Sequence, residues 1–111
     1  MRYAIVLFLV LAGCSPSGRF DHAAWRDADL SGRARAEMLP DFLKRYPLEG
    51  RTRSEVIGLL GEPTPTDKWN NADMIYVLGN DGGDYVAIDH EWLLIDLNQR
   101  QRVLSYKRVF D

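Results

Sequence analysis

The chain has 111 residues, which is enough for one domain and too few for two. Its 14 Lys and Arg side chains nearly balance its 16 Asp and Glu side chains, so the formal net charge at pH 7 is −2. A charge this small excludes the strongly basic surface by which nucleic-acid-binding domains are recognised. We therefore expect no nucleic acid among the partners of this protein.

The first thirteen residues have the pattern of a secretory signal peptide. Arg2 provides a positive start, residues 4–12 are an unbroken apolar run, and small residues then lead to Cys14, the only cysteine. The run is far shorter than the roughly 20 residues of a membrane-spanning helix. The prediction is a cleaved signal peptide over residues 1–13; a short membrane anchor and a buried strand are the alternatives.

The sequence Leu11-Ala12-Gly13-Cys14 resembles the lipobox of bacterial lipoproteins. The resemblance implies cleavage before Cys14, a diacylglyceryl group on its sulfur, and a further acyl chain such as palmitate on the new N-terminus. Two or more acyl chains anchor a protein stably, whereas one holds it only marginally. Ser15 stands where an Asp usually signals retention in the inner membrane, so the implied location is the periplasmic face of the outer membrane.

Residues 14–30 are predicted to be the lipidated cysteine and a tether that contains at most a short helix. The tether begins with residues 15–18, which are rich in Ser, Pro and Gly. Asp21 can cap a short helix, and Phe20 and Trp25 then occupy the two positions of a hydrophobic staple.

A second helix is predicted between residues 33 and 46, where apolar residues recur at helical spacing. Pro40 lies inside this pattern and removes the amide that would bond the carbonyl of Ala36. The helix therefore either kinks at Pro40 or consists of a first short piece that ends near Leu39. Pro47 ends the element in both cases.

Residues 50–63 specify both ends of a third, short helix. Thr52 and Glu55 have the spacing of a capping box, in which each residue bonds the backbone amide of the other. Gly61 can take the left-handed conformation that ends a helix, and Pro63 prevents the helix from restarting.

Three later runs are rich in strand-forming residues, namely 74–78, 92–97 and 103–110. Residues 85–88 form a candidate fourth strand. In the last run Leu104, Tyr106 and Phe110 share one face, and this alternation suits an antiparallel sheet with one solvent-facing side. We predict an α+β two-layer sandwich over residues 31–111, with N-terminal helices on one face of a three- or four-stranded antiparallel meander.

The residues around the third helix resemble the Gly-x-Thr-x-x-x-Val…Leu-Gly-x-Pro signature of the SmpA/OmlA (BamE-like) lipoprotein family. The matching residues, with the capping Glu between them, are Gly50, Thr52, Glu55, Val56, Leu60, Gly61 and Pro63. Tyr76 stands where that family has an aromatic strand residue, and residues 93–98 followed by Val103 resemble its closing hairpin. The resemblance covers about residues 50–106. Two-layer modules of this kind resemble the β-lactamase-inhibitor (BLIP) fold.

No constellation in the sequence predicts catalysis, a metal site or a cofactor. Asp89-His90-Glu91 is the strongest candidate for a catalytic or metal site. Adjacent strand residues point to opposite faces, however, so these three cannot converge on one ion. The acids of residues 80–84 do not match a calcium-binding loop. Nucleophile, Cys-x-x-Cys and phosphate-binding motifs are absent from the sequence. We therefore expect the protein not to be an enzyme.

Charge is distributed unevenly along the second half of the chain. Residues 73–96 contain six acids and no Lys or Arg. The predicted binding residues lie within this acidic region and are Asp81, Asp84, Tyr85, Asp89, Glu91 and Trp92. Their acids would set the rate of association and Tyr85 or Trp92 would supply an apolar anchor. The alternative is a solvated turn.

The sequence therefore predicts a non-enzymatic outer-membrane lipoprotein whose periplasmic domain binds an envelope protein, in envelope or outer-membrane protein assembly. The membrane contact would be made through the lipid on Cys14. The alternative function is that of a binder or inhibitor of a soluble periplasmic enzyme.

Overall fold

The computed structural model describes residues 18–82 and 89–111. Their elements, in chain order, are α1 (His22–Arg26), α2 (Ala34–Arg45), α3 (Arg53–Leu60), β1 (Met74–Asn80), β2 (His90–Leu97) and β3 (Val103–Phe110). The strands form an antiparallel meander in the order β1-β2-β3, which confirms the predicted α+β arrangement. The signal peptide, Cys14, Asp84, Tyr85 and the candidate strand over residues 85–88 lie outside the described residues.

The main core lies between the helices and one face of the sheet. Because strand side chains alternate between faces, Tyr76 and Leu78 of β1 point with Leu93 of β2 toward the helices. There they meet buried residues such as Phe42 of α2 and Val56 of α3. The side chains between these positions point to the other face of the sheet, where Val77, Trp92 and Leu94 form a second, smaller cluster. The two-layer prediction is confirmed.

The short helix α1 begins as its sequence predicts. The carboxylate of Asp21 accepts a hydrogen bond from the Ala24 amide at 2.9 Å, which satisfies one of the amides that the first helical turn leaves unpaired. The rings of Phe20 and Trp25 have centroids 6.1 Å apart. The residues at the two staple positions therefore lie side by side and direct the chain into the core.

Helix α2 runs without interruption through Pro40. The alternative in which a first piece ends near Leu39 is therefore wrong. The carbonyl of Ala36, which Pro40 deprives of its helical donor, instead accepts from Nη2 of Arg108 in β3 at 3.3 Å. A donor from the sheet thus takes the place of the one that the proline lacks.

Helix α3 has the predicted capping box. The Glu55 amide donates to the Thr52 hydroxyl at 3.1 Å, and the Thr52 amide donates to the Glu55 carboxylate at 2.8 Å. Gly61 has a positive φ of 84°, as predicted, but its ψ of −175° is extended rather than left-handed helical. Few residues other than glycine adopt this region, so the chain leaves α3 through a conformation that depends on Gly61.

Side chains from two other elements satisfy the last carbonyls of α3. The hydroxyl of Tyr76 donates to the Gly61 carbonyl at 2.7 Å, and Nε1 of Trp25 donates to the Leu60 carbonyl at 3.1 Å. Nδ1 of His22 lies 3.2 Å from the Leu59 carbonyl oxygen. Carbonyls at a helix C-terminus have no partner inside the helix, so these bonds connect α3 to α1 and β1.

We expect Tyr76→Phe to remove a stability term that depends on pH. Burial is the main cause that raises the pKa of Tyr76, and the nearby charge of Glu62 adds to it. The folded state therefore favours the neutral phenol. The stabilisation is present below the unfolded pKa of about 10 and is lost as pH rises above it. Because the variant lacks the hydrogen bond of the hydroxyl, its free energy of unfolding should be about 1 kcal/mol lower at neutral pH.

Urea denaturation between about pH 8 and 11 measures both effects. Tyr106→Phe, at a partly buried position of the mostly exposed strand β3, is the matched control. Wild-type stability should fall more steeply above about pH 10 than that of Tyr76→Phe. Parallel profiles for the wild-type protein and the Tyr76 variant would contradict this role of the hydroxyl.

Strand β1 bends at Gly79, where the pairing register with β2 shifts after Val77. Gly79 has a φ of 128°, and a Cβ atom at this position would collide with the carbonyl oxygen of Gly32. The same Gly32 carbonyl accepts from the Asn80 amide at 2.8 Å. The bulge thus lets the end of β1 contact the segment before α2 directly.

Candidate protein-binding surface

The ends of the predicted acidic loop come together in the structure. Asp81 directly follows β1, and its amide donates to the carbonyl of Asp89 at 3.2 Å. Asp89 is exposed and Asp81 is partly exposed. Asp84 and Tyr85 lie outside the described residues, so a binding role for this loop stays a prediction.

Glu91 does not belong to an exposed acidic surface, and this part of the prediction is wrong. The residue is 2% exposed. One carboxylate oxygen accepts from Nε of Arg108 at 2.6 Å, and the other accepts from Nη2 of Arg33 at 3.2 Å. The region has no cation nearby in sequence, but the fold supplies two from elsewhere. A buried carboxylate requires such partners because its desolvation is costly.

The two arginines extend this contact into a network that joins α2 to the sheet. Nη1 of Arg33 donates to the Asn80 carbonyl at 2.6 Å, at the end of β1. Arg108 of β3 bonds both Glu91 and the Ala36 carbonyl of α2. Glu91 thereby connects both edge strands with the helix layer, which gives it a structural role in the fold.

Trp92, which the sequence predicted as an apolar anchor for a partner, is not accessible to one. It is 7% exposed and packs in the second cluster. Its Nε1 donates to a carboxylate oxygen of Asp111 at 3.1 Å, and Nζ of Lys68 lies 3.2 Å from the same oxygen. The pKa of the Asp111 carboxyl is lowered mainly by the hydrogen bond from the His90 amide and less by the contacts with Trp92 and Lys68.

A recess of about 160 Å³ lies on the same face of the sheet, next to Trp69. Asp96 and Lys107 contribute polar atoms to its wall. Trp69 has a positive φ of 54°, and its buried Nε1 has no hydrogen-bond partner among the described residues. Small-molecule pockets usually measure roughly 300–1,000 Å³, so this recess does not predict a ligand site.

The outer edge of β1 is covered. The Thr64 amide donates to the Ile75 carbonyl at 2.8 Å, and the Thr64 hydroxyl accepts from the Val77 amide at 3.0 Å. Nη1 of Arg35 donates to the Val77 carbonyl at 3.2 Å. Edge strands covered in this way cannot pair with another chain.

The outer edge of β3 is covered only at its beginning. The Gly50 amide donates to the Val103 carbonyl at 2.9 Å, and the Val103 amide donates to the Arg51 carbonyl at 2.8 Å. The chain then turns into α3. Among residues 18–82 and 89–111, the sheet order places no strand beyond β3, and the isolated bridge to this edge is Thr52 with Arg102. Within these described ranges, the rest of β3 is an open edge.

The register of the sheet identifies which backbone groups face outward. The Asp111 amide donates to the His90 carbonyl at 3.1 Å, directly beyond the paired strands. Hydrogen-bonded positions alternate along an antiparallel pair, so Val109 and Lys107 bond β2. The N–H and C=O groups of the alternate residues point away from the sheet; these residues are Tyr106, Arg108 and Phe110.

Exposed apolar side chains accompany this edge. Leu104 is 63% exposed and Phe110 is 58% exposed. Single exposed apolar residues are ordinary, but these two lie on one open strand with two cations, Lys107 and Arg108, between them. We refer to Leu104, Tyr106, Lys107, Arg108 and Phe110 as the β3 edge surface. The predicted shared face holds for Tyr106 and Phe110 but not for Leu104, because Val103 and Tyr106 both face the main core and the register with β2 shifts between them. The position of this strand at an uncovered edge was not visible in the sequence.

Comparisons with known protein families, with curated proteins and with solved structures find no match. The resemblance to the SmpA/OmlA family therefore stays a prediction. The part of the chain that the structure describes contains no group of three or more His, Cys, Asp or Glu residues placed to hold a metal ion. Within the same residues, no helix combines the length and the apolar character needed to cross a bilayer.

Proposed function

We propose that this protein is a non-enzymatic outer-membrane lipoprotein of the SmpA/OmlA (BamE-like) kind, whose periplasmic domain binds another envelope protein. The β3 edge surface is the observation that carries the binding. Proteins usually cover or shorten sheet edges, as this sheet does at β1, because an open edge pairs with other chains. An open edge with exposed Leu104 and Phe110 is therefore a surface suited to a protein partner.

The lipobox at Cys14 supports the membrane part of the proposal. From Cys14 to Gly18, the first described residue, the chain can extend at most about 14 Å. A lipid on Cys14 would hold the domain directly beside the membrane. Partners anchored in or next to the same membrane would then be favoured by their high local concentration.

We expect Cys14→Ala to abolish lipid labelling and to leave the precursor unprocessed at the lipoprotein site, so that the domain no longer reaches the outer membrane. Metabolic labelling with an alkyne fatty acid, followed by membrane fractionation, measures both effects. Ser15→Ala is the matched control and should keep the lipid and the outer-membrane location. Ser15→Asp should keep the lipid but move the protein to the inner membrane. A Cys14→Ala protein that stays in the outer membrane would show that lipidation does not place it.

Crosslinking in the native envelope, followed by mass spectrometry, tests the binding. The double variant Leu104→Ser, Phe110→Ser should lose the crosslinks of the wild-type protein, because both exposed apolar contacts are removed. Leu30→Ser is the control, since Leu30 is also exposed but lies before α2. Unchanged crosslinks in the double variant would refute this surface. Crosslinks to a soluble enzyme that persist in Cys14→Ala would favour the inhibitor alternative.

A further inference from the structure

We propose that the β3 edge surface binds by strand addition, and that the partner supplies an extended segment in which apolar and acidic residues alternate. The proposal rests on the proposed function and adds the mode of binding and the chemistry of the partner. In this mode the main-chain bonds give affinity, and alternate side chains give specificity.

The backbone of β3 offers a regular row of hydrogen-bonding groups. Tyr106, Arg108 and Phe110 each direct one N–H and one C=O outward, as the register requires. Residues 104–110 would span about 23 Å, which matches a segment of seven residues. Among the described residues no other strand pairs with these groups, so an added strand would break no bond of the sheet.

The short pairing at the beginning of β3 shows how such a strand would lie. Gly50 and Arg51 already bond this edge through Val103, and the chain then leaves the edge as α3 begins at Arg53. An added strand would continue in line with residues 50–51. The bridge of Thr52 with Arg102 is antiparallel, so the chain that arrives at Gly50, and not α3, borders the open edge next to Leu104. That segment limits the added strand at one end and confines it to residues 104–110.

The positive charges of β3 and of the turn before it favour an acidic partner. Between residues 97 and 110 the chain carries four cations and no acid, and these cations are Arg100, Arg102, Lys107 and Arg108. Glu91 engages Arg108. Lys107 is exposed on the face opposite the helices, so an acidic residue beside it forms a favourable cross-strand pair.

The other face of the same strand selects apolar residues. Tyr106 is partly buried against the main core, and Phe110 lies on the same side of β3. An added strand places alternate residues on the two faces, next to Tyr106 and Phe110 on one side and next to Lys107 on the other. Alternation of apolar and acidic residues follows from this geometry.

A second copy of the protein fits this edge less well than an acidic segment. Pairing of β3 with itself around its middle places Lys107 opposite Lys107, and like charges directly opposite each other are destabilising. An edge lysine is one of the devices by which proteins prevent such self-pairing. The same lysine attracts a strand that carries carboxylates.

Amide hydrogen exchange on the purified domain tests strand addition directly. The probe is an acetylated seven-residue peptide of alternating valine and aspartate. We expect the peptide to slow exchange at Tyr106, Arg108 and Phe110 by about 10-fold or more, while Lys107 and Val109, already bonded to β2, change little. The control peptides have lysine in place of aspartate, or N-methyl groups that block pairing.

A charge variant tests the chemistry of the partner. Lys107→Glu should weaken binding of the acidic peptide by about 5-fold or more at low salt, because attraction becomes repulsion. Lys44→Glu makes the same charge change on α2, away from β3, and should have little effect.

Each outcome decides the proposal. Absence of slowed exchange at millimolar peptide, or equal slowing by the lysine peptide, would overturn it. Slowed exchange without peptide, together with dimers in sedimentation, would make a second copy the occupant and would also overturn it. If the peptide fails while envelope crosslinks still depend on Leu104 and Phe110, the proposed function stands and strand addition alone is wrong. If both fail, both proposals are wrong.

Discussion

Gly79→Ala should lower the free energy of unfolding by about 3–5 kcal/mol, which combines backbone strain with overpacking. Gly79 has a φ of 128°, where a residue with a Cβ atom is strained. The added Cβ would also collide with the Gly32 carbonyl oxygen and lie 3.2 Å from Cα of Arg33. Both neighbours are backbone atoms, so no flexible side chain can move aside.

Hydrogen bonds hold the colliding segment in place. The Gly32 carbonyl accepts from the Asn80 amide, and the Ser31 carbonyl accepts from Nδ2 of Asn80, each at 2.8 Å. If residues 31–32 moved away from the added Cβ atom, these bonds would break and the start of α2 would shift. The expected damage is therefore to the junction between helix layer and sheet.

Gly58→Ala is the matched control for this prediction. Gly58 lies in the interior of α3 and is exposed, and apart from its chain neighbours and the nearby backbone of its own helix no atom lies within 4 Å of the position that its Cβ would take. The same substitution there should stabilise the protein by about 0.5–1 kcal/mol, because alanine favours helix over the unfolded chain. Urea unfolding measures both variants. Equal unfolding midpoints would show that the contact between Gly79 and Gly32 does not constrain the fold.

The second large effect is expected when Glu91 loses both of its cations. The double variant Arg33→Met, Arg108→Met leaves a buried carboxylate without an opposite charge, which should cost about 3–5 kcal/mol. Either single variant should cost less than half of this, because the remaining arginine still pairs with Glu91. The arginine side chains are 31% and 34% exposed, so water already solvates them in part.

Rescue by a third substitution separates charge from packing. Adding Glu91→Leu to the double variant removes the unpaired charge and should restore most of the lost stability, because apolar replacements of buried ionic triads are often neutral or stabilising. The free energies of unfolding from urea denaturation give the comparison. A triple variant no more stable than the double variant would mean that the arginines act through their packing and their bonds to Asn80 and Ala36.

Local structure was predictable wherever its partners are close in sequence. The capping box joins Thr52 to Glu55, and the Asp21 cap joins residues three positions apart. Such contacts form within one helical turn, so the pattern of residue types is enough to identify them. Strand alternation was readable for the same reason, since it depends only on neighbouring positions.

The environment of Glu91 was not predictable, because it depends on distant residues. Arg33 precedes Glu91 by 58 positions and Arg108 follows it by 17, and only the packing of α2 on the sheet brings both to one carboxylate. Pro40 shows the same limit. The sequence indicates that the Ala36 carbonyl loses its helical donor, but the replacement comes from Arg108, 72 positions away.

By itself, the sequence determined the helix caps, most of the apolar faces of the strands and the α+β class, and the lipobox at Cys14 stays a prediction. The tertiary structure decided which faces are covered and which edges are open. Thr64 covers β1, and residues 50–51 cover only the beginning of β3, through contacts between segments far apart in the chain. Exposure of Leu104 and Phe110 is therefore a property of strand order and packing, because alternation identifies a face but not what lies against it.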